Sequence, residues 1–475
     1  MQRPIRAAVI VLIIGLAAAL VPSPTALAVT PIEVLLNGNP IKFDVPPLIE
    51  AGRTLVPFRA IGEALGVQVH WDETNRRVIA EKGTSVIYLP IGNETACVNG
   101  QPTMLDVPAI INQGRTLVPL RFFSQAFGAQ VHWDDNSRTV TIDSGGANDT
   151  KLRTAYILGY YYSHSYQDYK ANHRSLSGVA AKWYTLDENC RLTWQDSRRA
   201  IAAPDGYEEV LEIAQASAGE VYALIFEDDT DKLHRLLTDP VQRELLSQDI
   251  VDLVTEEGFT GVNIDFEMIT EADGPDFTIF IQELAQLIQG QGKKLALSLP
   301  ARTDYGWYRG YDYAALGQAA NQVAIMAYDY APGQAGPQTS ICWVRDVVDY
   351  TLKYISADKV LLGLGIYGRD WSASGRKTVL WCPSELGSLV HDLNDLISRY
   401  KPELKWDYKS MLPYFTYTDE QGHAHTVWYE SIDSLKPKLE LVREKGLAGV
   451  AVWRLGYTSP EFYQLLQAYF VRQQF

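Results

Sequence analysis

The chain has 475 residues, 47% of them hydrophobic and 21% charged, with 11 Trp, 27 Tyr and a formal net charge of −15. That length exceeds one small domain, and so acidic a balance excludes nucleic acid as a partner, because phosphate contacts need a basic surface. Cys97, Cys190, Cys342 and Cys382 lack CxxC spacing, which argues against a zinc site, and no cofactor is called for.

Residues 1–28 read as a secretory signal peptide rather than an uncleaved anchor. Arg3 and Arg6 precede the apolar stretch "AAVIVLIIGLAAALV", and Ala26 to Ala28 offer a small-residue cleavage site. Nothing later in the sequence is long and apolar enough to span a bilayer, so no membrane partner is expected once the signal is removed. An exported chain can form one disulfide, with Cys342–Cys382 the expected pair and buried free thiols the alternative.

The next segment contains itself twice. "VPPLIEAGRTLVPFRAIGEALGVQVHWDETNRRVIAE" from Val45 recurs as "VPAIINQGRTLVPLRFFSQAFGAQVHWDDNSRTVTID" from Val107, so that Arg53 and Trp71 reappear as Arg115 and Trp133. Each copy reads as a strand pair, a short amphipathic helix and a strand–turn–strand, and two intertwined copies would share one small α+β core. The "GRTLVPxR…VxWD" pattern resembles the stalk-like repeat domain named after the N-terminal domain of copper amine oxidases, over residues 30–145. His70 and His132 each stand alone beside a Trp, so no metal is expected. The resemblance fits a spacer that holds an enzyme near a wall. "DSGGANDT" at 143–150 has the small and turn residues of a linker.

From Ala155 onward, β-rich runs alternate with helical patterns. Strands are expected at 155–162, 178–186, 220–226, 261–267, 294–301, 322–330, 359–368 and 449–456. Eight such units predict an α/β fold, a (β/α)8 TIM barrel over residues 152–475. A segment at 371–430, with strand signals "PYFTYTD" and "HTVWYE", is inserted before the last strand. The fourth strand, "GVNIDFE", puts Asn263, Asp265 and Glu267 on one face and Val262, Ile264 and Phe266 on the other. A polar row of this kind is costly to bury without partners. In a barrel it points inward, with Glu267 at the C-terminal mouth beside the other polar and aromatic strand ends, Tyr328, Asp329 and Trp453. Carboxylates at i and i+2 are close enough to couple, so one can stay protonated as a general acid, and Glu267 is the outer member. Asp265 stands too near Glu267 for the two to act from opposite faces of one substrate.

These motifs resemble family 18 glycoside hydrolases. That family carries DGxDxDxE on its fourth strand, MxYD at the end of the sixth and a Trp at the end of the eighth. Here the matching residues are Thr260 to Glu267, Met326-Ala327-Tyr328-Asp329, and Trp453. The resemblance implies a glycosidase in which the substrate's own 2-acetamido oxygen is the nucleophile. It implies Glu267 as the acid, Asp265 orienting the acetamido N–H, and Tyr328 bonding the acetamido oxygen. Asn263, Met326, Asp329, Trp453 and Tyr160 would contact the sugar. Thr260 and Asn263 depart from the family's Asp residues; an amide can donate to Asp265 but cannot share a proton with it. "GVNIDFE", "HTVWYE" and "WRLG" resemble the bacterial subgroup of spore-cortex and cell-wall N-acetylglucosaminidases. That implies a secreted protein of the wall or spore envelope, with N-acetylglucosamine-containing polysaccharide as its partner. A chitinase and a non-catalytic glycan-binding protein are the alternatives.

Overall fold

The computed structural model describes residues 31–82, 85–135, 137–144, 153–162, 165–194, 207–304, 308–330, 335–380, 390–407 and 409–474. The expected signal peptide, most of the linker and Cys382, with the Cys342–Cys382 pairing, lie outside the described residues. Cys97, Cys190 and Cys342 are free thiols.

The repeat folds into two interlocked halves. Helix Phe58–Leu65 in one copy and Leu120–Ala126 in the other follow directly on the two "RTLVP" strands, and Gly66, at φ 67°, ends the first of them in the left-handed region. Strand Arg53–Pro57 pairs antiparallel with Arg115–Pro119, Val56 opposite Val118, so each copy supplies half of one sheet. Arg53 reaches Asp106 at 2.6 Å and Arg115 reaches Asp44 at 2.6 Å, a reciprocal pair of ion pairs. Val56, Ile61 and Leu65 share a core with Val118, Phe123 and Phe127.

This module is seated on the barrel. Val86, Tyr88 and Cys97 of the module are buried in one cluster with barrel side chains. Tyr88 stacks on Trp406 of the inserted segment, ring centroids 5.4 Å apart, and its hydroxyl donates to the Asp433 carbonyl at 3.0 Å. Arg77, 2% exposed, lies 4.5 Å from the Tyr88 ring and 4.2 Å from that of Trp406 while pairing with Asp72 at 2.7 Å. Lys436 pairs with Glu81 across the same boundary. Apolar surface on the strand faces, which a free stalk would expose to water, accounts for the contact.

The barrel strands are β1 (Arg153–Tyr161), β2 (Gly178–Leu186), β3 (Glu220–Glu227), β4 (Gly261–Phe266), β5 (Lys294–Pro300), β6 (Gln322–Met326), β7 (Val360–Gly365) and β8 (Gly449–Trp453). Each runs parallel to the next, and β8 pairs with β1 to close the ring. At the seam a Cβ on Gly449 would run into the Tyr156 carbonyl, so only glycine admits that approach. The outward side chains of β4 pack on the helical ring, where Phe266 stacks on Phe280 at 5.8 Å. Inside, Tyr160, Leu224, Phe226, Ala296 and Ala324 fill the barrel around the polar row.

Three expected strand ends fall well short, β8 at Trp453 rather than at Gly456, and the other two matter more. β6 stops at Met326, so Tyr328 and Asp329 lie on the loop beyond it, and Asp329 takes a left-handed φ of 56°. β7 stops at Gly365, and a second sheet begins at Gly368. Its six strands are Gly368–Ser372, Gly375–Leu380, Val390–Asp392, Lys405–Asp407, Leu412–Thr418 and Ala424–Tyr429, with helix Leu393–Tyr400 packed on them. The insertion is thus a small α+β unit that starts earlier than the sequence suggests.

Candidate active site

Register brings the polar row into the barrel. Asn263 stands opposite Leu224 of β3, and Asp265 opposite Phe226. Asn263 is 0% exposed and Asp265 2% exposed. Ser298 of β5 donates to Asn263 Oδ1 at 2.9 Å, and the Ser298 hydroxyl meets the Tyr160 hydroxyl of β1 at 2.7 Å. Asn263 Nδ2 and Asp265 Oδ1 are both buried without a hydrogen-bond partner. Asn263 thus does not donate to Asp265 here, and Ser298 engages the amide at its oxygen end instead. The contact Asp265 does make is with Lys182 of β2, whose Nζ lies 3.5 Å from Oδ2. Burial raises the Asp265 carboxyl above the usual carboxylate range, and Lys182 opposes that rise.

Glu267 comes immediately after β4, half-buried, with its backbone N–H donating to the Glu227 carbonyl at 2.8 Å. Met268, at φ 60°, turns the chain there. Tyr311 fixes the turn from beneath: its hydroxyl donates to the Phe266 carbonyl at 2.8 Å and accepts from the Ile269 N–H at 3.2 Å. The side chain of Glu267 is thereby held at the mouth, one pleat outside Asp265.

Tyr328 enters from beyond β6. Its ring lies over the glycines of β7, where a Cβ on Gly363 would stand 3.1 Å from it, and meets Tyr367 edge-on at 6.3 Å. Burial, then Tyr160, Tyr367, Asp265 and Glu267, push its phenol well above the ordinary range, so it stays a hydrogen-bond donor. Burial and Asp265 raise Tyr160 in the same way. Asp329 pairs with Arg369 of the insertion at 2.7 Å. Trp453, ending β8, meets Tyr160 edge-on at 5.5 Å, and the Lys182 ammonium lies 4.9 Å from its ring centroid. Met326 ends β6, half-buried.

Asp265, Asn263, Tyr160, Tyr328 and Trp453 thus gather toward the C-terminal end of the barrel, with Glu267 just beyond β4. Sequence reasoning passed over Lys182, Ser298, Tyr311 and Arg369. Only Lys182 left a signal: it shares an inward parity with Ala180 in a run that is otherwise apolar, "GVAAKWYTL".

Residues 156–457 match the glycosyl hydrolases family 18 model, and residues 35–142 match the copper amine oxidase N-terminal domain. A glycosylase of Bacillus subtilis (strain 168), whose name ties it to sporulation, is 33% identical over 237 residues, covering 48% of this chain and 55% of its own. The cortical fragment-lytic enzyme of the same organism is 30% identical over 253 residues, covering 51% and 57% respectively. The chain therefore spans little more than half the length of these two curated relatives. Among solved structures, the chitinase from Chromobacterium violaceum ATCC 12472 superposes with a TM-score of 0.59 at 26% identity, over 66% of this chain and 98% of that one. With the closed barrel, the DxE pair at the end of β4 and a family model that covers both, the chain belongs to family 18 of the glycosyl hydrolases.

Proposed function

We propose that the protein is a secreted β-N-acetylglucosaminidase acting on peptidoglycan or spore cortex by substrate-assisted, retaining hydrolysis. The observation that carries this reading is the buried Asp265, with one oxygen held and the other without a partner, directly inside a carboxyl group at the barrel mouth. Glu267 protonates the glycosidic oxygen as the bond to C1 breaks. The acetamido oxygen attacks C1, and Asp265 accepts the acetamido N–H and balances the positive charge that develops on the ring. Tyr328 donates to the acetamido oxygen. Water then opens the cyclic intermediate, with Glu267 taking its proton, and the configuration at C1 is retained. Asn263, Met326, Asp329, Trp453 and Tyr160 shape the sugar's site. Cortex-lytic relatives support a wall or spore-envelope setting for the enzyme.

The test is incubation with purified cortex, peptidoglycan and chitin, followed by mass identification of the products, for wild type and Glu267→Gln. Cleavage of cortex or peptidoglycan at N-acetylglucosamine, abolished in the variant, is expected. Turnover of chitin alone would favour a chitinase, and a fully active variant would remove Glu267 from the acid role. Because an aligned intramolecular nucleophile is worth roughly 7–11 kcal/mol at best, replacing the N-acetylglucosaminide by the plain glucoside should slow turnover by orders of magnitude.

A further inference from the structure

One buried cation in the barrel has no part in the chemistry above. Lys182 is 7% exposed, at the middle of β2. Its ammonium sits 3.5 Å from Asp265 Oδ2, 3.3 Å from the Phe226 ring centroid and 4.9 Å from that of Trp453. A lysine head is buried only where its charge is compensated; here a carboxylate and two ring faces do so. The pairing of β2 with β3 shifts register between Lys182 and Tyr184, an irregularity of the kind that re-aims side chains at a barrel rim. The two oxygens of Asp265 are thereby made unequal: Oδ2 faces the ammonium, while Oδ1 is buried without a partner.

We propose that Lys182 is a positioning residue for the hydrolysis, holding Asp265 by Oδ2 so that Oδ1 is the oxygen offered to the substrate's amide N–H. This rests on the role given to Asp265 above. The same contact has an electrostatic consequence. The ionisable groups around Asp265 are Lys182 from β2, Tyr160 from β1, Tyr311 from the loop after β5, Tyr328 beyond β6, and Glu267 two residues along. Lys182 is the cation of the set, so it is what keeps Asp265 ionised against its burial. Without it Asp265 binds a proton at higher pH, and a protonated Asp265 neither balances the developing charge nor keeps Oδ1 as a fixed acceptor.

The experiment measures kcat and KM against pH on a soluble aryl N-acetylglucosaminide for wild type, Lys182→Gln, Lys182→Met, Lys182→Arg and Asp265→Asn, with thermal unfolding as the folding control. Two apolar or neutral replacements are included so that one misfolded variant does not decide the matter. Neutral variants should move the acid limb of kcat upward by about 1–3 pH units, lowering kcat more than they raise KM. Lys182→Arg should restore the position of the limb. If folded Lys182→Gln or Lys182→Met keeps the wild-type limb while Asp265→Asn is inactive, the proposal fails and the role of Asp265 stands. If Asp265→Asn turns over at the wild-type rate, the substrate-assisted reading fails with it.

Discussion

The contact between the repeat module and the insertion can be measured as a coupling. Trp406 is 8% exposed, stacked on Tyr88 at 26° and covered by the Arg77 guanidinium at 4.2 Å. Trp406→Ala should cost about 3–5 kcal/mol, as deletion of a buried aromatic does. Part of that loss belongs to the boundary itself. A stacked aromatic pair contributes about 0.5–1.5 kcal/mol and a desolvated cation–π contact about 2 kcal/mol. Arg77→Met removes the cation but keeps its bulk, and it also releases Asp72, an effect that a double-mutant cycle cancels. The cycle of Arg77→Met with Trp406→Ala should therefore return a coupling of about 1–2 kcal/mol, the cation–π share alone. The readout is urea unfolding followed by near-ultraviolet circular dichroism, with calorimetry to test for a single transition. A coupling within about 0.3 kcal/mol of zero, or a module that melts independently of the barrel, would refute the seated arrangement.

Tyr311→Phe removes both bonds that bracket the Glu267 turn; kcat should fall about tenfold, in line with about 1.5 kcal/mol of lost hydrogen bonding, with KM steady, and a change in KM alone would contradict the positioning argument. Arg369→Met releases Asp329 from its 2.7 Å partner and should raise KM about tenfold, with kcat affected less, in steady-state kinetics on the same aryl glycoside. Asp370 of the insertion is buried, which alone would raise its carboxyl. Hydrogen bonds from His391, Tyr417 and His425 instead hold it below the ordinary value. Its folded pKa is depressed, so its contribution to stability is fully present above the unfolded value of about 3.9 and is lost as pH falls through the folded value. Asp370→Asn should therefore be destabilised by about 1–3 kcal/mol at pH 7 and converge on wild type in strongly acidic urea titrations; a deficit that persists there would point to packing rather than charge.

The eight barrel strands and the inward polar row were legible because both rest on period-two alternation and on regular spacing along the chain. Helical boundaries in the repeat are legible for another reason, since "RTLVP" precedes each helix and Gly66 or Gly128 follows within two residues. The site was only partly readable. Asn263, Asp265 and Glu267 announce themselves within one strand. Lys182, Ser298 and Tyr311 act through neighbours that closure of the barrel brings together, and no local pattern records β2 against β4. Tyr328 and Asp329 read as strand residues because the run "QVAIMAYDY" holds no glycine or proline to mark the end at Met326. The seating of the module leaves no local pattern either, because Arg77 meets Trp406 only across a long stretch of chain.

The crossed ion pairs of the repeat have a consequence for its inheritance. Asp44, just ahead of the first copy, answers to Arg115 in the second, while Asp106, just ahead of the second, answers to Arg53 in the first. Neither copy holds its own complement, and the strand that carries each arginine uses the other's strand as its neighbour. A lineage that lost one copy would not keep half a module; it would keep an unpaired sheet edge, ready to join any similar strand. Duplication created a unit that can no longer be divided. The two copies are bound to drift together, each substitution at the shared edge judged by a residue encoded in the other.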